Sequence, residues 1–201
     1  MTTDKTILML CGSLRRGSTN EAVLRTAETL LPAGVNASRY AGLADLPHFN
    51  PDDDFEPLPP AVVDLRAHIK QADAILICTP EYAGALPGSF KNVLDWTVGG
   101  VETSDKPTAW LNISGHGSPA GGKLAHDSLR AVLTYTGARI VEAACARIPL
   151  ARSAIGPDGL VADEEIRAQI AAALAVLIEE LGPLGPLGPL GHIAVPAAAR
   201  E

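Results

Sequence analysis

An apolar run, Ile7-Leu8-Met9-Leu10-Cys11, feeds directly into Gly12-Ser13-Leu14-Arg15-Arg16-Gly17-Ser18-Thr19-Asn20, and a helical pattern begins at Glu21. A continuous apolar run with no polar alternation has to be covered on both faces, which is the situation of a strand inside a parallel sheet. The helix that follows offers N–H groups with no intrahelical acceptor and the positive end of a dipole. Ser13, Ser18, Thr19 and Asn20 add short polar side chains, and Arg15 and Arg16 add positive charge. The segment reads as a cradle for a phosphate group. The competing reading is an ordinary capped turn carrying surface arginines.

The same strand-then-helix order recurs along the chain. The helix over 21–31 carries Val23, Leu24, Ala27, Leu30 and Leu31 on one stripe and ends at Pro32 and Gly34. Residues 35–40 read as a weaker strand, and 42–59 as a loop rich in Pro and Asp. Pro60 opens a helix to about residue 71 with Val63, Ile69 and Ala72 inward. Residues 73–79, with Ala74-Ile75-Leu76-Ile77-Cys78, form the clearest central strand. A helix starts at Pro87 or Gly88, a fourth strand covers 107–114, a helix 120–135 and a fifth strand 139–146. A last helix over 163–181 has Asp163, Glu164 and Glu165 in its first turn, where acidic side chains favour the dipole. Five strands alternating with helices predict an α/β fold with a parallel sheet, helices on both faces and right-handed crossovers. Ligands bind beyond the carboxyl ends of such strands, which selects the loops 12–20, 79–88 and 114–122. Residues 1–181 form one domain, and 182–201 a flexible or extended tail built on a Gly-Pro-Leu repeat.

Composition removes several functions. A net charge of −7 opposes nucleic acid as the main partner. No apolar run is long enough for a membrane span, and the N-terminus enters a strand without the regions of a signal peptide, so a cytoplasmic location is expected. Cys11, Cys78 and Cys145 lie far apart in or at the ends of strands and read as reduced, buried thiols. His48, His68, His116, His126 and His192 have no metal-ligand spacing, so no metal is expected. The first loop lacks the Gly-Lys-Ser/Thr ending of a nucleotide-hydrolase loop and the three-glycine dinucleotide fingerprint. No Gly-x-Ser-x-Gly elbow surrounds Ser13 or Ser114, which opposes acyl transfer.

The second loop runs Thr79-Pro80-Glu81-Tyr82-Ala83-Gly84-Ala85-Leu86-Pro87-Gly88, stiffened by two prolines, with Gly84 allowing close approach of the backbone. Its free N–H groups suit the polar edge of a flat heterocycle. Tyr82 reads equally as a pocket wall or as a core or interface aromatic, and Trp96 reads as core. Taken together, Gly12-Ser13-Leu14-Arg15 with Ser18 and Asn20, then Pro80-Glu81-Tyr82, Pro87-Gly88, Lys91-Asn92 and Asp95-Trp96, resemble the NADPH-dependent FMN reductase family of flavodoxin-like proteins. The family includes quinone, azo-dye and chromate reductases. The resemblance spans about residues 5–150.

That resemblance implies a flavodoxin-like three-layer αβα sandwich with a five-stranded parallel sheet in the order 2-1-3-4-5. It implies FMN as cofactor, with Ser13, Arg15, Ser18, Thr19 and Asn20 at the phosphate, and Pro80, Glu81, Tyr82, Ala83 and Gly84 along the isoalloxazine ring. Ser114, Gly115, His116 and Gly117 would close the other side, where His116 departs from the pattern and reads as a flavin or acceptor contact or a solvent-facing loop residue. Lys123-Leu124 stands where relatives carry Arg. The implied reaction is a ping-pong, two-electron transfer from NADPH or NADH to a quinone-like acceptor, with no side chain assigned as acid or base. A homodimer or homotetramer is also implied, with Phe90, Val93, Leu94 and Trp96 as candidates for its face or for intrachain core. The rival functions are an FMN-binding electron carrier and a regulatory binding protein on the same fold.

Overall fold

In the computed structural model, which describes residues 4–115 and 121–183, β1 (Lys5–Cys11) lies between β2 (Val35–Tyr40) and β3 (Ala74–Thr79), with β4 (Pro107–Ser114) beyond β3. All these pairs are parallel, in the order 2-1-3-4-5. The fifth position is filled by two short segments. β5 (Arg139–Ile140) pairs with the start of β4, and β6 (Ala146–Pro149) pairs with its end. Between them Glu142–Ala144 form a 3₁₀ turn, so the single strand expected over 139–146 is interrupted and displaced toward the C-terminus. Glu and Ala are poor strand formers, and the Glu142 carboxylate is drawn outward by Arg130, whose Nε and Nη2 donate to it at 2.8 and 2.6 Å.

The period of two along each strand divides the core. Ile7 and Met9 face one layer with α1 (Thr19–Thr29) and α5 (Glu164–Glu179), while Leu8 and Leu10 face α2 (Pro60–Gln71), α3 (Gly88–Asp95) and α4 (Lys123–Tyr135). Every residue of β3 and β4 is buried, as central strands covered on both faces require. In α2 Val62, Leu65 and Ile69 face inward, Ile69 as expected, while Val63 is half-exposed and its neighbour Val62 takes the buried place. Ala72 is buried as expected. In α1, Val23, Leu24 and Ala27 are buried, and Leu30 and Leu31 pack at the margin. The final helix is capped by Asp163, whose carboxylate accepts from the N–H groups of Glu165 and Ile166.

Phe90, Val93, Leu94 and Trp96 all turn into the chain's own core, at 0, 0, 2 and 0 % exposure. They are intrachain core, packed in one cluster with Leu8, Leu10 and Ile77 of the sheet, and the loop 42–59 closes over Trp96. Its Pro47 carbonyl accepts from Asn92 Nδ2 and Trp96 Nε1, both at 2.8 Å. The Phe49 N–H donates to Asn92 Oδ1 at 2.8 Å, and the Phe49 ring stands edge-on to Trp96 at 5.0 Å. A loop without apolar periodicity is thus stapled over α3 by two side chains of the second motif.

Candidate active site at the β1/β3 crossover

The strand order reverses direction between β1 and β3, and the loops leaving these strands diverge there to open a cleft. Their close approach depends on Gly12. Its N–H donates to the Cys78 carbonyl at 2.8 Å, and a Cβ at this position would lie 2.2 Å from Thr79 Oγ1. No side chain larger than hydrogen fits between the two loops.

Ser18 is the N-cap of α1, with extended backbone angles of −64° and 141°. Its Oγ accepts from the Asn20 N–H at 3.1 Å and from Asn20 Nδ2 at 3.4 Å. A hydroxyl has two acceptor lone pairs and one proton. With both lone pairs engaged, the Ser18 proton remains to be donated away from the helix. Ser13 Oγ likewise accepts, from the Arg15 N–H at 3.3 Å. The Asn20 side chain is turned inward, where Cys78 Sγ donates to its Oδ1 at 3.4 Å, so it braces the cradle. Cys11 Sγ donates to the Ser13 carbonyl at 3.7 Å. Burial pushes the Cys11 thiol up to about 11 and that of Cys78 well above its ordinary value, which keeps both protonated and serving as donors. Cys78 is buried as expected, and Cys11 and Cys145 are half-buried.

The second loop is a two-residue hairpin. Tyr82 and Ala85 exchange N–H to carbonyl bonds at 3.0 Å in both directions, and Ala83 and Gly84 between them have φ of +49° and +73°. Two successive positive φ angles define the turn whose twist matches a hairpin. The N–H groups of Ala83 and Gly84 take no part in that exchange. Glu81 directs its carboxylate sideways to the N–H groups of Leu124 and Ala125 at the start of α4, whose N-cap, Gly122, supplies no side-chain cap of its own.

A cleft of about 260 Å³ is lined by Ser13, Arg15, Ser18, Thr19 and Asn20 on one wall, Pro80, Glu81 and Tyr82 on another, and Ser114 and Gly115 on a third. Ile113 and Arg152 complete the lining. Ala83 and Gly84 sit beyond it at the hairpin tip, and His116 and Gly117 lie outside the described residues, as does the repeat from residue 184 onward. Tyr82 is half-exposed at the mouth, so it is not core, whereas Trp96 is. Arg152 is not among the residues the sequence predicts, because the expected fifth strand stops at residue 146 and β6 runs on to Pro149. Its signal was available: a residue just past the carboxyl end of an edge strand belongs to the ligand end of the sheet. Free hydroxyl donors, a helix N-terminus and guanidinium groups in one wall are the donor set of a phosphate monoester, and the opposite walls suit a flat ring. The residues present fit FMN.

A doubly wound parallel sheet with such a cradle at its crossover defines a mononucleotide-binding α/β protein of flavodoxin-like type. Comparison makes the class specific. The family described as NADPH-dependent FMN reductase matches residues 6–151, and the chain belongs to it. It is 34% identical over 179 residues to an NAD(P)H-dependent FMN reductase of Pseudomonas aeruginosa, covering 88% of this chain and 95% of that one. A quinone reductase of Escherichia coli is 41% identical over 91 residues, which is 45% of this chain and 48% of the relative. Among solved structures, the flavoenzyme NAD(P)H:(acceptor) oxidoreductase FerB of Paracoccus denitrificans superposes with a TM-score of 0.78 at 28% identity, covering 88% of this chain and 97% of that one. The protein is accordingly an oxidoreductase whose cofactor is FMN and whose electron donor is NAD(P)H. Among the described residues, no helix is long and apolar enough to cross a membrane.

Proposed function

We propose that the enzyme passes two electrons from NADPH or NADH to quinone-like or other small oxidants in ping-pong order, the oxidised nicotinamide leaving before the acceptor enters. The carrying observation is the cleft that brings Ser18, the N-cap of α1, together with Pro80 and Tyr82 of the second loop. In this reading Ser13, Arg15, Ser18 and Thr19 hold the FMN phosphate, and Asn20 braces them. Pro80, Glu81, Tyr82, Ser114 and Gly115 border the ring, together with His116 and Gly117. When bound, FMN supplies the redox chemistry, and the chain contributes position and electrostatics. The N–H groups of Ala83 and Gly84 are available to stabilise negative charge at a ring edge, in the manner of an oxyanion site. The likeness to a quinone reductase over a 91-residue segment supports a quinone-like acceptor.

Residues 1–181 form the catalytic domain in this proposal, the repeat is an appendage, and the enzyme works in the cytoplasm as a homodimer or homotetramer. Any such interface lies away from the inward-facing Phe90, Val93, Leu94 and Trp96. The test is anaerobic addition of each nicotinamide to the FMN-loaded protein, followed by steady-state rates against a quinone panel. Bleaching of the flavin spectrum and parallel reciprocal plots are expected. A spectrum unbleached by both nicotinamides would overturn the reductase reading in favour of an electron carrier, and a sedimentation coefficient of a monomer at micromolar concentration would reject the oligomer.

A further inference from the structure

The geometry points to Arg152 as a second guanidinium for the FMN phosphate, reaching the cradle from the strand at the far edge of the sheet. This assignment rests on the reading of the loop 12–20 as the phosphate site. Arg152 lines the same cleft as Ser13, Ser18 and Thr19. Its Nη2 lies 3.4 Å from where a Cβ on Gly17 would stand, so the guanidinium hangs directly over the turn that precedes the N-cap of α1. Gly17 has a φ of +61°, and its lack of a side chain leaves that approach open.

The backbone carrying Arg152 is held independently of any ligand. The Leu150 N–H donates to the Ser114 carbonyl at 2.9 Å, which ties the exit of β6 to the end of β4. Residues Arg152–Ala154 form a 3₁₀ turn, and the Val161 N–H donates to Thr26 Oγ1 at 2.9 Å, fastening the following segment to α1. The side chain is nonetheless exposed, and among the described residues it meets no carboxylate within ion-pair distance. A cation fixed at its root and uncommitted at its tip suits capture of an anion from solvent.

Charge balance gives the reason for a second arginine. A phosphate monoester carries about −1.5 to −2 charge at neutral pH. Arg15 and the partial charge of the α1 terminus together neutralise about 1.5 of it. A planar guanidinium can meet two phosphate oxygens at once, which an ammonium cannot. Arg152 would also connect the phosphate end of the site to β6, so that the cofactor bridges the N-terminal and C-terminal halves of the sheet.

The test compares FMN with riboflavin, which has the ring and ribityl chain but no phosphate, by fluorescence titration of the full chain. Arg152→Ala should raise the Kd for FMN about tenfold, equivalent to about 1.4 kcal/mol. Riboflavin affinity should stay within about twofold, because no charged partner is lost for it. Arg152→Lys should recover part of the loss, and the salt dependence of FMN binding should flatten in Arg152→Ala. Equal weakening of both ligands would mean a merely structural role and overturn the assignment. Unchanged FMN affinity in Arg152→Ala, with a clear loss in Arg15→Ala, would overturn the assignment alone. A wild-type protein that binds FMN and riboflavin equally would overturn the phosphate-cradle reading and this inference with it.

Discussion

The Glu81 carboxylate accepts hydrogen bonds from the main-chain N–H groups of Leu124 at 2.9 Å and Ala125 at 3.2 Å. One side chain from the second loop thereby caps the helix that follows the third loop. The two bonds tie the second loop, one wall of the cleft, to the N-terminus of α4. Glu81→Ala should cost about 1 kcal/mol, the usual value of a lost cap. Glu81→Gln, which keeps an acceptor without the charge, should cost less. Amide hydrogen exchange at Leu124 and Ala125 checks the cause: protection should fall there first, and FMN affinity should fall with it. Unchanged exchange at these two amides would reject the cap.

Gly12→Ala should destabilise the protein by about 1–3 kcal/mol, the range for overpacking a filled interior. The added methyl would stand 2.2 Å from Thr79 Oγ1 and 3.1 Å from its Cα, so one of the two loops must move. Thermal melting reads the loss. The double variant Gly12→Ala, Thr79→Ala should recover part of it, since the nearest atom is then gone.

Ser18 carries two roles that a pair of measurements can separate. Ser18→Ala removes the N-cap of α1 and should lower stability by about 1 kcal/mol without cofactor. It also removes the donated proton, and the Kd for FMN should rise about tenfold or more. Arg15→Ala should weaken FMN by a similar factor while leaving the melting temperature of the cofactor-free protein nearly unchanged, because Arg15 is exposed. Unchanged FMN affinity in both variants would return the loop to a capped turn.

His126 makes stability depend on pH. Trp110 Nε1 donates to His126 Nδ1 at 3.0 Å, so the ring accepts there and is neutral. Burial first, then the Arg130 and Arg147 guanidinium groups, lowers its pKa below the usual 6.5. Between that lowered value and 6.5 the unfolded chain binds the proton and the folded chain does not, so stability rises with pH across this window and is lost as pH falls through it. Urea melts at a series of pH values should follow this slope, and His126→Gln should flatten it. An equal slope in the variant would reject the assignment.

Trp96→Ala should cost about 3–5 kcal/mol, as for other fully buried large aromatics. Trp96→Phe keeps most of the packing but forfeits the bond to the Pro47 carbonyl, and about 1 kcal/mol should be lost. Limited proteolysis of Trp96→Phe should cut first within the loop 42–59, which Trp96 and Asn92 fasten to α3.

The alternation of buried strands with helices and the place of the cleft are legible because both follow from local pattern, whereas the sheet order 2-1-3-4-5 is what the family resemblance implies. Strands such as Ala74–Thr79 must be buried on both faces, and the loops at their carboxyl ends are rich in Gly, Ser and Pro. On α2 the inward residue is Val62 rather than the expected Val63, because the two are alike in hydropathy and only the packing partner distinguishes them. The break at Glu142–Ala144 is not legible in the sequence for a similar reason: it depends on Arg130, a residue on another element.

The opening loop shows the same division. Its glycine, hydroxyl and arginine content, set between an apolar strand and a helix, determines a capped turn between β1 and α1, the expected place for a phosphate, since these are short-range consequences of residue type. Tertiary structure decided what each residue does there. It turned Asn20 inward as a brace, sent the Glu81 carboxylate to cap α4, and brought Arg152 from 135 residues beyond Gly17 to the cleft. The physical reason is that hydrogen bonds and charges act over a few ångströms in space, and the folding of the sheet alone determines which distant residues come within that range.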